Sequence, residues 1–177
     1  MLEPADDLSI ESLVRAAIRQ VWADCPDLVL DAVHERTVVA HIAAVLNRRL
    51  AELPGSFRAD VEYDRVSRLG FAVLRKQLWL IREGRDELHP VVPDLIVHAP
   101  RGQFTRRNVL VLEAKKGRVS SRARELDYIK LGSFIEQLGY QHAVFLEFDG
   151  VGGRPRIEWI RSSQDYPDPA ERASEEL

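Results

Sequence analysis

Pro93-Asp94-Leu95-Ile96-Val97-His98, followed after a loop by Val109-Leu110-Val111-Leu112-Glu113-Ala114-Lys115, is the stretch on which the fold turns. Both segments are short and rich in branched apolar residues, as strands are. The segment Ala99–Asn108 between them carries Pro, Gly and Arg, as a turn does. A hairpin centred between Gln103 and Phe104 sets Asp94 opposite Glu113. Opposed residues of an antiparallel pair share a face, with Cβ atoms about 5 Å apart. The period of two then brings Lys115 to that face and sends Ala114 to the other. Two carboxylates and an ammonium converge on strands that otherwise read as core, an arrangement that is costly unless something is bound there.

Downstream, Lys116-Gly117-Arg118 closes the second strand and Ser120 or Ser121 caps a helix running to Leu138, which buries Leu131, Phe134, Ile135 and Leu138. Asp127 lies on the same stripe with Lys130 one turn on; the two read either as cleft residues or as an i,i+3 ion pair. Gly139 ends this helix. Gln141 to Phe148 is a continuous apolar strand, so Val109–Phe148 forms a right-handed βαβ unit. Gly150, Gly152 and Gly153 turn the chain into a last edge strand, Arg156–Arg161.

Upstream, Ala59–Arg65 alternates and is expected to be the first core strand, with Arg65 at its exit as a candidate cleft residue. Val66–Pro90 allows a strand, a helix or an insertion, with Trp79 expected in the core and Lys76 unplaced. His98 shares the face of Asp94 but lies about 13 Å along the strand, a rim position. Asp31–Leu50 is the longest helical pattern, stopped by Pro54-Gly55, with a stripe of Val38, Val39, Ile42, Leu46 and Leu50. Glu35 falls on that stripe, where a carboxylate requires a compensating charge or metal, or else a wet first turn in which it offsets the helix dipole. Ser9–Trp22 reads as an amphipathic packing helix, broken by Cys25-Pro26-Asp27.

A chain of 177 residues, 45% apolar and 30% charged, is one domain's worth of globular protein. It has no apolar run long enough to span a membrane, and its acidic start, Met1 to Asp7, lacks the apolar core of a signal peptide. The single cysteine, Cys25, excludes an internal disulfide and a Cys-based zinc site. A cytoplasmic location is expected. Net charge is −3, unevenly spread: Arg101–Lys130 holds nine bases against three acids, and Ser163–Leu177 five acids against one Arg. Such asymmetry suits a phosphate-facing surface on an acidic body. On that surface the candidate nucleic-acid contacts are Arg106, Arg107, Lys116, Arg118 and Lys130.

Pro93-Asp94 followed by Glu113-Ala114-Lys115 resembles the motif of the PD-(D/E)XK nuclease superfamily, and the strand, hairpin, strand, helix, strand order is similar to its core. Glu-Tyr-Asp-Arg at 62–65 and Asp127-x-x-Lys130-Leu131 resemble segments of a group of small bacterial members, with Asp64 where that group has Asn. The similarity covers roughly Val33 to Phe148. It implies an α/β fold: a three-layer α/β/α sandwich with a central mixed β-sheet around a restriction-endonuclease-like core. One domain over residues 1–162, with an N-terminal helical extension, would carry it, followed by an acidic flexible tail over 163–177.

The resemblance further implies a Mg²⁺- or Mn²⁺-dependent nuclease acting on nucleic acid, DNA rather than RNA. Asp94, Glu113, Lys115 and Glu35 would be catalytic; Asp94, Glu113 and the Ala114 carbonyl would hold the metal; Arg65 and Asp127 would line the cleft. Hard oxygen ligands suit those ions. Two alternatives stay open: a non-catalytic nucleic-acid-binding or protein-interaction module on the same fold, and a nuclease of a defence system controlled by oligomerisation, such as a homodimer, or by a regulatory protein partner.

Overall fold

A five-stranded mixed sheet carries the stretch that decides the fold. The chain is seen in a computed structural model that describes residues 4–30, 34–63, 65–67, 73–82, 85–99, 108–148 and 155–161. In chain order these form α1 (Pro4–Asp24), α2 (Pro26–Leu30), α3 (Glu35–Leu50), β1 (Arg58–Val61), β2 (Arg65–Ser67), β3 (Val73–Arg75), β4 (Gln77–Arg82), β5 (Arg85–Pro90), β6 (Leu95–His98), β7 (Asn108–Lys116), α4 (Ser121–Leu138), β8 (His142–Phe148) and β9 (Arg156–Ile160). The sheet order is β1-β6-β7-β8-β9. Among the described strands only the β7–β8 pair is parallel, as the intervening α4 crossover requires.

Alternate residues of β7 feed two apolar clusters. Leu110, Leu112 and Ala114 join Val14, Ala17 and Ile18 of α1 and Val39, Ile42 and Leu46 of α3. Val111 joins Leu131 and Phe134 of α4, with Phe145 of β8. Strand periodicity thus sends Glu113 and Lys115 toward α4. Ser120 starts α4 by accepting a hydrogen bond from the Ala123 N–H at 3.2 Å, and Gly139 closes it in the left-handed conformation at φ 68°. The edge strand β1 is covered from outside: the Asn47 amide of α3 donates to the Ala59 carbonyl at 2.8 Å and accepts from its N–H at 2.7 Å. Those two bonds occupy main-chain groups that an edge strand would otherwise leave open.

Several elements differ from expectation. The second long helix begins at Glu35, not Asp31: His34 is extended at its N-cap, and residues 31–33 lie outside the described set. The Cys25-Pro26-Asp27 break opens a further short helix, α2, since Pro is well tolerated in a first turn. The first core strand stops at Val61 because Glu62 takes φ 51°, a left-handed conformation that ends extended pairing. Arg65 therefore belongs to the separate β2–β3 ladder, opposite Arg75.

The region from Val66 to Pro90 contributes two-stranded ladders rather than strands of the main sheet. Trp79 is not core. It is 57% exposed, on the outer side of the β4–β5 ribbon opposite Leu88, while its neighbour Leu78 is buried. Its main chain is clamped to α4 by the Gln137 amide, at 2.8 and 2.9 Å. Among the described residues no helix is long and apolar enough to cross a membrane.

Candidate active site

The β6–β7 ladder pairs Leu95 with Leu112, Ile96 with Val111 and Val97 with Leu110. One step further sets Asp94 opposite Glu113, as the hairpin reading requires. Asp94 lies just before β6, where the ladder has run out, and its carboxylate replaces a strand partner. Oδ2 accepts the Ala114 N–H at 2.8 Å, and the Asp94 carbonyl accepts the Glu62 N–H at 3.1 Å. In an extended strand the N–H and C=O of one residue leave by the same edge, so the Ala114 carbonyl leaves on the Asp94 side.

Two ion pairs cross between β7 and α4. Lys130 Nζ lies 2.6 Å from Glu113 Oε1, and Lys115 Nζ lies 3.6 Å from Asp127 Oδ2. The i,i+3 pair within α4 that the spacing suggested is replaced by two pairs to the sheet. Glu113 is 2% exposed, yet Oε1 makes no hydrogen bond of acceptable direction among the described residues. Distance and direction thus disagree for Lys130. At this separation Lys130 favours the charged form of Glu113 by charge and also by hydrogen bonding, so the distance is the better guide.

Burial pushes the Glu113 carboxyl up to about 8; Lys130 opposes the rise, and the neighbouring Asp94 and Asp127 charges add to it. Asp127 is raised by burial against the pull of Lys115 and Lys130. For Lys115, burial works against the charge, but Asp127, Glu113, Glu35 and Asp94 together outweigh it and hold the ammonium above its usual range. These signs describe several carboxylates crowded onto too little cation.

The other expected residues fall in different places. Glu35 is half-buried in the first turn of α3, and its charge is felt at Lys115. Since α3 belongs to the opposite cluster, Glu35 acts from near the C-terminal end of β7; there Lys116 Nζ meets the Leu28 carbonyl of α2 at 3.4 Å. Arg118 is exposed just beyond β7. Arg106 and Arg107, and the tail over 163–177, lie outside the described residues, as does the side chain of Arg65.

The sequence reading missed a continuation of this polar surface. Glu147, paired in register with Lys115, accepts Arg124 of α4 at 2.6 and 2.8 Å. Glu158 on β9 accepts the Tyr128 hydroxyl at 2.5 Å. Glu147 was legible as the one charge inside an apolar strand. A second polar group was not: Lys76, 3% exposed, donates to the Tyr63 carbonyl at 2.9 Å and the Tyr140 hydroxyl at 2.7 Å. His98 pairs with Asp60 at 2.6 Å.

Among the described residues no three His, Cys, Asp or Glu side chains are grouped to hold a metal ion. Two opposed carboxylates and a main-chain carbonyl fall short of such a group, but they fit an ion that keeps several of its own waters, as Mg²⁺ does. The buried Glu113 oxygen without a hydrogen bond fits it too. Comparison with family models, with curated proteins and with solved structures gave no match.

Proposed function

We propose that the chain is a divalent-metal-dependent nuclease hydrolysing phosphodiester bonds of nucleic acid, DNA in preference to RNA, on a three-layer α/β/α, restriction-endonuclease-like core. The observation that carries this reading is the β6–β7 register, which opposes Asp94 to Glu113 and puts Lys115 on the same face. The division of β7 between an α1–α3 cluster and an α4 cluster supports the layering.

Asp94, Glu113 and the Ala114 carbonyl would hold Mg²⁺ or Mn²⁺, which supplies Lewis acidity and a water of lowered pKa. The chain's own groups do the rest. Asp94 is fixed by the Ala114 N–H, and Glu113 by the strand that buries it. Lys115 stays charged, since the surrounding carboxylates raise it, and so can neutralise charge building on a phosphoryl oxygen. Asp127 orients that ammonium from across the groove. Glu35 adds negative charge at the same end of β7, and Arg118, Lys116, Arg106 and Arg107 are assigned to the phosphate backbone.

One observation favours a second reading, a non-catalytic nucleic-acid-binding or protein-interaction module. Glu113 and Lys115 already have partners in α4, so each has a counter-charge without a metal. Cleavage assays on plasmid, oligonucleotide and RNA with Mg²⁺ or Mn²⁺ decide between them. Activity in the wild type that disappears in Asp94→Asn and Glu113→Gln establishes the nuclease. Equal behaviour of wild type and Glu113→Gln on every substrate favours the module.

A further inference from the structure

The pairing of Lys130 with Glu113 asks why a lysine should stand where the proposed reaction needs a divalent ion. Glu113 is held on a central strand and almost wholly enclosed, so an ionised carboxylate there requires a counter-charge at all times. Lys130 is the nearest one, at 2.6 Å. Its side chain is 21% exposed and carried on a flexible four-carbon stem, so it can leave toward solvent while Glu113 cannot move.

The contact is one of charge before direction, so an ion replacing the ammonium at Glu113 Oε1 keeps the compensation that the enclosed carboxylate needs. Asp127, one turn before Lys130 on α4, is already engaged by Lys115. A displaced Lys130 therefore does not find its partner in Asp127. A divalent ion and an ammonium on one carboxylate repel each other strongly in so enclosed a place.

We propose that Lys130 is a resident counter-ion: it occupies the cation position of Glu113 until a divalent ion takes that carboxylate, and it then moves out to bind a phosphate of the substrate. The assignment rests on the nuclease reading above and adds an order to it. Metal entry and phosphate capture become one exchange, so substrate phosphate favours metal binding and metal favours phosphate binding, reciprocally.

The test is Mn²⁺ binding to the full chain, followed by calorimetry without nucleic acid. Lys130→Met should bind Mn²⁺ about tenfold more tightly than wild type, because no ammonium has to be displaced. The same variant should bind a phosphorothioate DNA duplex more weakly in the presence of the ion, with its salt dependence reduced by about one phosphate contact. Mn²⁺ affinity that is unchanged or weaker in Lys130→Met overturns the proposal.

A measurement without mutation guards against a variant that folds poorly. In ¹⁵N spectra of the lysine ammonium groups, the Lys130 signal should shift or exchange away as Mg²⁺ saturates the wild type. A signal that stays in place at saturation overturns the proposal. Equal Mn²⁺ affinity in both proteins sinks the role of Lys130 alone. No Mn²⁺ binding by either protein sinks the nuclease reading with it.

Discussion

Glu113→Gln should change the pH dependence of folding by an amount that follows from burial. The carboxyl is raised from its ordinary 4.5 to about 8 in the fold. Between those values the native state holds a proton that the unfolded chain has released, so wild-type stability falls as pH rises through that window. The contribution is fully present below 4.5 and lost above about 8. At about 1.4 kcal/mol per pH unit, the whole window is worth on the order of 5 kcal/mol. Glutamine keeps the shape and carries no titrating proton, so the variant lacks this slope. Urea unfolding of both proteins at pH steps from about 5 to about 9 isolates it, because the remaining groups largely cancel in the difference. The variant should gain on wild type steadily with pH, toward a plateau of several kcal/mol on the alkaline side. Parallel profiles across the range would refute the reasoning, since Glu113 would then titrate alike in folded and unfolded chains. Saturating Mg²⁺ should flatten the wild-type slope, because an ion held by the ionised carboxylate takes over from the proton.

Asp94→Asn should stay within about 1 kcal/mol of wild type in stability, because the amide oxygen can still accept the Ala114 N–H, whereas Asp94→Ala strands that donor and should cost about 1–3 kcal/mol; denaturant midpoints compare the two. Asn47→Ala removes both bonds to Ala59 and should cost about 1–3 kcal/mol, with amide exchange accelerating at Ala59 ahead of the inner strands. Tyr140→Phe takes an acceptor from the buried Lys76 ammonium and should destabilise by about 1–3 kcal/mol; an unchanged unfolding midpoint would show that the bond contributes nothing net.

The central hairpin was legible because two independent constraints agree there. Apolar runs fix which residues are strand, and matching their buried faces across the pair opposes Asp94 to Glu113. That register holds through Val97 even though the pairing slips by one residue at His98. The end of β1 had no such support. Glu62 takes a left-handed conformation that usually belongs to Gly or Asn, and no residue type marks it in advance. Trp79 misled for a related reason. A large aromatic residue is a good guide to core only where a second layer covers it, and one face of the β4–β5 ribbon lies against α4 while Trp79 and Leu88 share the other.

The charges of α4 show most clearly where sequence stops deciding. Asp127 and Lys130 are i,i+3 neighbours, and local spacing alone predicts that they pair with each other. Glu113 and Lys115 are likewise alternate residues on one strand face. Four charges, two of each sign, can be satisfied along the elements or across them, and the sequence is consistent with either. Burial decides it. Were Asp127 and Lys130 to pair on the helix shoulder, Glu113 would be enclosed with no cation close by, a cost of several kcal/mol. Pairing across the groove gives each buried or half-buried charge a counter-charge, at 2.6 Å for Glu113 and 3.6 Å for Lys115. The crossed arrangement is therefore a consequence of how deeply β7 lies in the sheet, a property of the assembled fold and not of either segment. On the nuclease reading proposed above, a divalent ion would enter by exchanging with Lys130 at the ionised Glu113 carboxylate.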